Sequence, residues 1–315
     1  MIRSVLFAFA LSALLCMPVT AQSTETDPLP HYPDAPLETV VVEDDTLAYI
    51  DTGGDGPPLV LVHGLGSNLS LWRDHIEPLS AEHRVLALDL PGFGVSSKHD
   101  VSGRMTDFAA SVRGFVDTLE LAPVTYVGVS MGGQIGLTLA MEAPETVERL
   151  VLVSPAGIET FTDEQAAGLR QMMTPQAIAS ADSSAIQQNT AANFASWSDD
   201  YAWLIKQRHA LAERDDFEAY ARANSASVAG MVDEPVYDHL GTVQMPTLVL
   251  YGTGDKLIPN PYLNPQWDTQ AIAQRAAEAL PNATVHLVED AGHLLMIEQP
   301  DAFQKHLQEF LARSE

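Results

Sequence analysis

A chain of 315 residues, 46% of them apolar, is long enough to bury one large core, and α/β folds of this size are commonly single units. Its 16 basic residues stand against 42 acidic ones, a net charge of −26, and such a surface repels nucleic acid and anionic membranes. The single cysteine, Cys16, lies in a segment expected to be removed, which excludes disulfides, thiolate metal sites and cysteine nucleophiles.

That segment is the N-terminus. Arg3 precedes an apolar run over residues 5–15, and Pro18-Val19-Thr20-Ala21 leads to a break at Gln22. This is the pattern of a secretory leader, residues 1–21, cut after Ala21. The run is shorter than the roughly 20 residues a bilayer span needs, so no stable membrane anchor is expected after cleavage. The mature chain is expected to be exported, to a periplasm or to the medium. Cys16 raises lipid modification as an alternative, but Leu15 stands where a small residue would be expected. Residues 22–37, rich in Pro, Thr and Asp, read as a flexible spacer.

Thr39-Val40-Val41-Val42-Glu43 and Thr46-Leu47-Ala48-Tyr49-Ile50 flank Asp44-Asp45 and read as a hairpin. A short, wholly apolar run follows at Leu59-Val60-Leu61-Val62, and the pattern repeats at Val85-Leu86-Ala87-Leu88, Val124-Thr125-Tyr126-Val127, Leu150-Val151-Leu152-Val153 and Thr247-Leu248-Val249-Leu250, then closes at Val285-His286-Leu287-Val288. Such runs suit parallel strands buried on both faces. Helical spacing places Phe108, Val112, Phe115, Val116 and Leu119 on one face, and Phe303, Leu307, Phe310 and Leu311 on another. Alternating strands and helices predict a mostly parallel, eight-stranded α/β sheet with helices on both faces. One interval breaks the rhythm: about 90 residues separate Val153 from Thr247 without an apolar strand, far more than a normal connection. An inserted helical cap over residues 157–244 is expected, between core segments 38–156 and 245–315. The pattern Phe194, Trp197, Tyr201 and Leu204 reads as one helix face, and Met172, Met173, Phe194, Trp197, Trp203 and Met231 are candidates to line an acyl pocket.

The chemistry centres on Gly128-Val129-Ser130-Met131-Gly132, which sits between an apolar strand and the small-residue helical stretch beginning Gly133-Gln134-Ile135-Gly136. Strand, sharp turn and helix expose a serine hydroxyl at the sheet edge. A serine needs a base to take its proton. Among ten histidines, His293 in Asp290-Ala291-Gly292-His293 follows the last strand and is placed best, whereas His63 suits shaping a neighbouring loop. An imidazole in turn needs a carboxylate to fix its tautomer, and Asp255, in Gly252-Thr253-Gly254-Asp255, follows the penultimate strand, with Glu159 as runner-up. The developing oxyanion needs preorganised donors, and the backbone N–H groups of Met131 and Leu65 are the candidates.

These motifs resemble the α/β-hydrolase superfamily over residues 40–311. The likeness rests on His63-Gly64-Leu65-Gly66, Asp89-Leu90-Pro91-Gly92-Phe93-Gly94-Val95-Ser96, the serine turn, the Asp255 turn and Gly292-His293. It implies an α/β-hydrolase fold in which Ser130, Asp255 and His293 are catalytic and the Leu65 and Met131 amides form the oxyanion hole. Ser130 argues against the dehalogenases and epoxide hydrolases that carry Asp at this turn. The Ser-Met-Gly-Gly string also occurs in carbon–carbon bond hydrolases, so that chemistry, lactone hydrolysis and perhydrolysis stay open. The expected reaction is hydrolysis of a small ester-like molecule, without metal or cofactor. The competing reading is a catalytically silent binding module.

Overall fold

The computed structural model describes residues 29–313; the expected leader and residues 22–28 lie outside them. Eight strands, β1 (Glu38–Val42), β2 (Asp45–Asp51), β3 (Pro58–Val62), β4 (Arg84–Leu88), β5 (Val124–Val129), β6 (Val147–Val153), β7 (Thr247–Gly252) and β8 (Ala283–Val288), form one sheet in the order β1-β2-β4-β3-β5-β6-β7-β8. The β1–β2 and β2–β4 pairs are antiparallel and the rest are parallel. Every residue of β5 and β7 is buried, as expected for strands covered on both faces.

The helices are α1 (Arg73–Ser80), α2 (Met105–Thr118), α3 (Met131–Glu142), α4 (Asp163–Met172), α5 (Pro175–Ala179), α6 (Ser183–Ala191), α7 (Ala202–Ala212), α8 (Phe217–Asp233), α9 (Thr269–Ala279), α10 (Leu295–Glu298) and α11 (Pro300–Leu311). Because side chains alternate across a strand, the sheet feeds two cores. Val60, Val62, Leu86, Tyr126 and Leu152 pack with α2, α3 and α9 on one face. Leu59, Leu61, Val127, Val151 and Leu250 pack with α1 and with Phe303, Leu307 and Phe310 of α11 on the other.

Helices α4 to α8 all fall between β6 and β7. Phe194, Trp197, Tyr201 and Leu204 do not share one helix there. Phe194 lies in a turn, Trp197 in a loop, and only Leu204 is in α7. They are related instead by ring packing: Phe194 stacks on Tyr201 at 4.1 Å and meets Trp197 edge-on at 5.9 Å. The flexible-spacer reading is corrected for residues 29–37. Leu29 is buried, Pro30 O accepts from Gln207 Nε2 at 2.7 Å, and the Tyr32 hydroxyl donates to Asp89 at 2.7 Å. The Pro-rich composition concealed the two anchors, Leu29 and Tyr32. Among the described residues no helix is long and apolar enough to cross a membrane.

Strands β4 and β5 flank β3 on opposite sides, so the chain reverses its winding direction there. Ligands in such sheets bind in the crevice beyond the strand ends at this reversal. The loop after β3 carries Leu65 and the turn after β5 carries Ser130.

Candidate active site

Ser130 links β5 to α3 with φ 56° and ψ −117°, a conformation that costs a non-glycine residue energy and persists only when its surroundings impose it. Here they do. Ser130 N donates to Val153 O at 2.9 Å, and Ser130 O accepts from Gly133 N at 2.9 Å and Ala156 N at 3.0 Å. The turn is also closely packed: a Cβ on Gly128 would lie 2.3 Å from Gly132 O, and one on Gly132 would lie 2.6 Å from His63 O. Only glycine fits either position. Met131 follows as the first residue of α3, fully buried, with its N–H at the positive helix end.

The Leu65 loop is stapled from two sides. His63 is buried; its Nε2 accepts from Leu90 N at 3.1 Å, so its Nδ1 carries the proton and donates to Gly64 O at 2.8 Å. Burial pushes the His63 imidazole down to about 4, leaving it neutral and a fixed part of the frame. From α8, the Tyr220 hydroxyl donates to Gly66 O at 2.8 Å and accepts from Asn224 Nδ2 at 3.1 Å.

Asp255 lies just past β7 with its side chain wholly buried. Its Oδ1 accepts from Leu257 N at 2.8 Å and Ile258 N at 3.1 Å, and its Oδ2 faces His293 Nδ1 at 2.9 Å. A carboxylate acceptor fixes the proton on Nδ1 and leaves Nε2 as the basic nitrogen. Glu159, also past a strand end, instead takes Asn260 N at 2.9 Å and Asn264 Nδ2 at 2.7 Å. Burial raises its carboxyl, partly offset by those bonds. It braces the loop beyond the Asp255 turn.

Ser130, His293 and Leu65 line one cavity of about 450 Å³. Of the six side chains suggested for its wall, Met172 and Met173 are there; Phe194, Trp197, Trp203 and Met231 are not. Phe194 is held in the core beneath by its aromatic neighbours, and Met231 packs against the opposite face. Sequence reasoning missed Leu29, Gln207, Arg208, Tyr220 and Asn224, which do line it. The Arg208 guanidinium lies over Phe217 at 5.0 Å and Tyr220 at 4.8 Å. Among the described residues its Nη1 and the Asn224 Oδ1 are buried without a hydrogen-bond partner. Among the described residues no carboxylate lines the cavity, although the protein carries 42 acidic residues. The four-residue spacing of Gln207 to Leu211 and of Tyr220 to Asn224 was the available signal.

The family model described as alpha/beta hydrolase fold matches residues 57–300. The chain belongs to that family. A curated hydrolase of Burkholderia vietnamiensis, named for 2-hydroxy-6-oxononadienedioate and 2-hydroxy-6-oxononatrienedioate, is 28% identical over 300 residues, covering 91% of this chain and 100% of that one. A crystal structure of a probable hydrolytic enzyme from Pseudomonas aeruginosa superimposes with a TM-score of 0.80 at 26% identity, covering 90% of this chain and 96% of the other. The enol-lactonase of Burkholderia xenovorans gives 0.70 at 26% identity, covering 87% and 100%. This α/β hydrolase is therefore similar both to a hydrolase named for two unsaturated dioates and to an enol-lactonase.

Proposed function

We propose that this hydrolase cleaves small carboxylic esters through an acyl-enzyme, with Ser130, His293 and Asp255 as a catalytic triad. One observation carries the reading: a serine held at positive φ shares a cavity with a histidine whose Nδ1 is bonded to a buried carboxylate. His293 Nε2 takes the Ser130 proton as Oγ attacks the ester carbonyl. The tetrahedral oxyanion is met by the Leu65 and Met131 N–H groups. Collapse breaks the bond to the alkoxy group, which leaves as alcohol with the proton from His293. Water then enters, gives its proton to His293 and releases the acid, restoring Ser130. No step needs a cofactor.

The test is labelling by a fluorophosphonate together with turnover of p-nitrophenyl esters of increasing acyl length. Ser130→Ala should lose both, with kcat down by at least about 10³. Absence of labelling in the wild-type protein would instead favour a silent binding module.

A second reading is carbon–carbon bond hydrolysis of an acidic dicarbonyl substrate. It is supported by the relative from Burkholderia vietnamiensis and by Arg208, a cation whose buried N–H has no partner and whose cavity has no carboxylate among the described residues. Turnover of a vinylogous 1,5-diketone acid well above that of any simple ester would favour it. We further propose export after cleavage at Ala21, which sequencing the N-terminus of protein recovered from the producing cell would test; a retained Met1 in a cytosolic fraction would overturn it.

A further inference from the structure

Residues 193–196, between α6 and α7, enter a slot formed by the two loops that carry Asp255 and His293. Each neighbour of the pair touches this turn. Lys256 Nζ donates to Phe194 O at 2.8 Å and Ala195 O at 3.0 Å. Leu294 N donates to Asn193 O at 3.1 Å. Glu298, at the end of α10, accepts from Ala195 N at 2.9 Å, Ser196 N at 2.9 Å and Gly292 N at 2.7 Å. The fit requires two glycines: a Cβ on Gly292 would lie 2.5 Å from Ala195 N, and one on Gly254 would lie 2.6 Å from Ala195 Cβ. Gly254 N also donates to Ala291 O at 2.8 Å, joining the two loops directly.

The peptide N–H groups on both sides of His293 are thus held by this turn or by the carboxylate that clamps it. Three N–H donors on one carboxylate, and two carbonyls on one ammonium, are charge-assisted bonds that fix geometry more tightly than neutral ones. Asn189, Thr190 and Asn193, at the end of α6 and the start of the turn, line the catalytic cavity. A ligand pressing on that wall is therefore one short segment away from the groups that hold His293.

We propose that residues 193–196 set the register of His293 against Asp255, and that Glu298 is a positioning residue for His293 acting through this turn. The inference rests on the triad reading above. Glu298 touches neither substrate nor reacting atoms; it fixes the direction of Nε2. Misplacement of a reacting group by about 1 Å can cost about 10²-fold in rate.

The experiment compares wild type, Glu298→Ala, Glu298→Gln, Lys256→Met and the double variant Glu298→Ala/Lys256→Met on p-nitrophenyl butyrate. The low-field proton resonance of the His293 Nδ1–H bonded to Asp255 is recorded for each. Glu298→Ala should lower kcat by about 10- to 100-fold with a much smaller change in KM, and should broaden or abolish the low-field resonance. Glu298→Gln, which keeps one carbonyl acceptor, should recover part of both. Lys256→Met should act in the same direction but less. Because both side chains hold one turn, the double variant should lose less than the product of the single losses. A lowered thermal midpoint with unchanged kcat and an intact resonance would overturn the proposal, as would strictly multiplicative losses. Should Glu298→Ala not fold, the Gln and Met variants decide by the same readouts. The resonance needs no turnover, so loss of the triad reading, seen as activity retained in Ser130→Ala, is distinguishable from loss of this one.

Discussion

The C-terminal edge of the sheet and the helical insertion above it are held by different kinds of contact. At the edge, backbone holds backbone: Ser130 N to Val153 O, Ser154 N to Leu250 O, Thr253 N to Val288 O and Gly254 N to Ala291 O. Helix α3, directly behind Ser130, has ten buried residues, whereas α4 and α6 have one each, Ala166 and Ile186. Helix α8 is more deeply set, with Tyr220, Ala221 and Val228 buried, and Phe194 joins the core, but the insertion is also tied down by polar side chains. Glu234 takes Arg104 Nε at 2.7 Å and Thr106 N at 3.0 Å, and Gln134 Nε2 reaches Met231 O at 3.0 Å. Loss of a single side chain can loosen contacts of this second kind, while the first kind yields only with the sheet itself. The division suits an enzyme whose chemistry is fixed by the edge and whose choice of substrate is set from above.

The sharpest test of that division compares two acids. Asp255→Asn should cost about 10⁴ in kcat, the size of effect seen when an amide stabilises the wrong imidazole tautomer in a serine protease. Glu159→Gln should cost less than about tenfold in rate but lower stability by about 1–3 kcal/mol, because the donors at Asn260 and Asn264 lose part of a charged acceptor. Steady-state kinetics and urea unfolding separate the two outcomes. A larger kinetic loss at Glu159 would move the acid to the strand before the insertion.

On the insertion side, Arg208→Met should reduce kcat/KM for a carboxylate-bearing substrate at least about tenfold more than for its neutral isostere, the range expected for a charged hydrogen bond. The ratio of the two substrates is the measurement. An equal loss on both would mean that Arg208 serves only as packing over Phe217 and Tyr220.

The same contrast explains what could be read from the sequence. Apolar runs such as Leu59-Val60-Leu61-Val62, and a serine between a strand and a small-residue helix, are local signals, because each residue's neighbours in sequence define its environment. The position of Ser130, the mostly parallel character of the sheet and the places of Asp255 and His293 follow from that local pattern, whereas the order of the strands does not. Arg208, Tyr220 and Asn224 look like the solvated face of a helix until a second element covers them. Glu298 looks like an ordinary surface acid; its three N–H partners lie 6, 102 and 103 residues away. Leu29 and Tyr32 were hidden by their Pro-rich surroundings for the same reason.

A smaller effect tests the frame beneath the site. Buried His63 is neutral in the folded protein, its imidazole lowered by burial to about 4, whereas an unfolded histidine titrates near 6.5. Its contribution to stability is therefore fully present above about pH 6.5 and is lost as pH falls through about 4. The full difference is on the order of 3 kcal/mol. His63→Asn should flatten the acid limb of stability over that window. Buried Asp89, raised by burial to about 6, works in the opposite sense: its contribution is present at low pH and is lost as pH rises through about 6. An acid limb unchanged by His63→Asn would show that His63 does not titrate with unfolding.

The least specific contrast is between the whole acidic surface and the cavity lined by Ser130. At a net charge of −26 the surface repels itself, and at about 0.15 M salt the Debye length of roughly 8 Å still lets neighbouring carboxylates interact. At about 1 M it falls to roughly 3 Å, so self-repulsion should weaken and the thermal midpoint should rise. A gain of about 1 kcal/mol corresponds to roughly 2–4 °C for a chain somewhat shorter than this one. Attack on a neutral ester starts without a charge on the substrate, and among the described residues no carboxylate lines the cavity, so kcat should change little. Sodium and potassium chloride should act alike if screening is the cause, and urea midpoints should shift without a large change in m. A flat or falling midpoint would leave the acidic residues as a solubility feature. A kcat on a neutral ester that moved with salt as strongly as stability would show that the surface field reaches the site, and the separation between surface and cavity would fail.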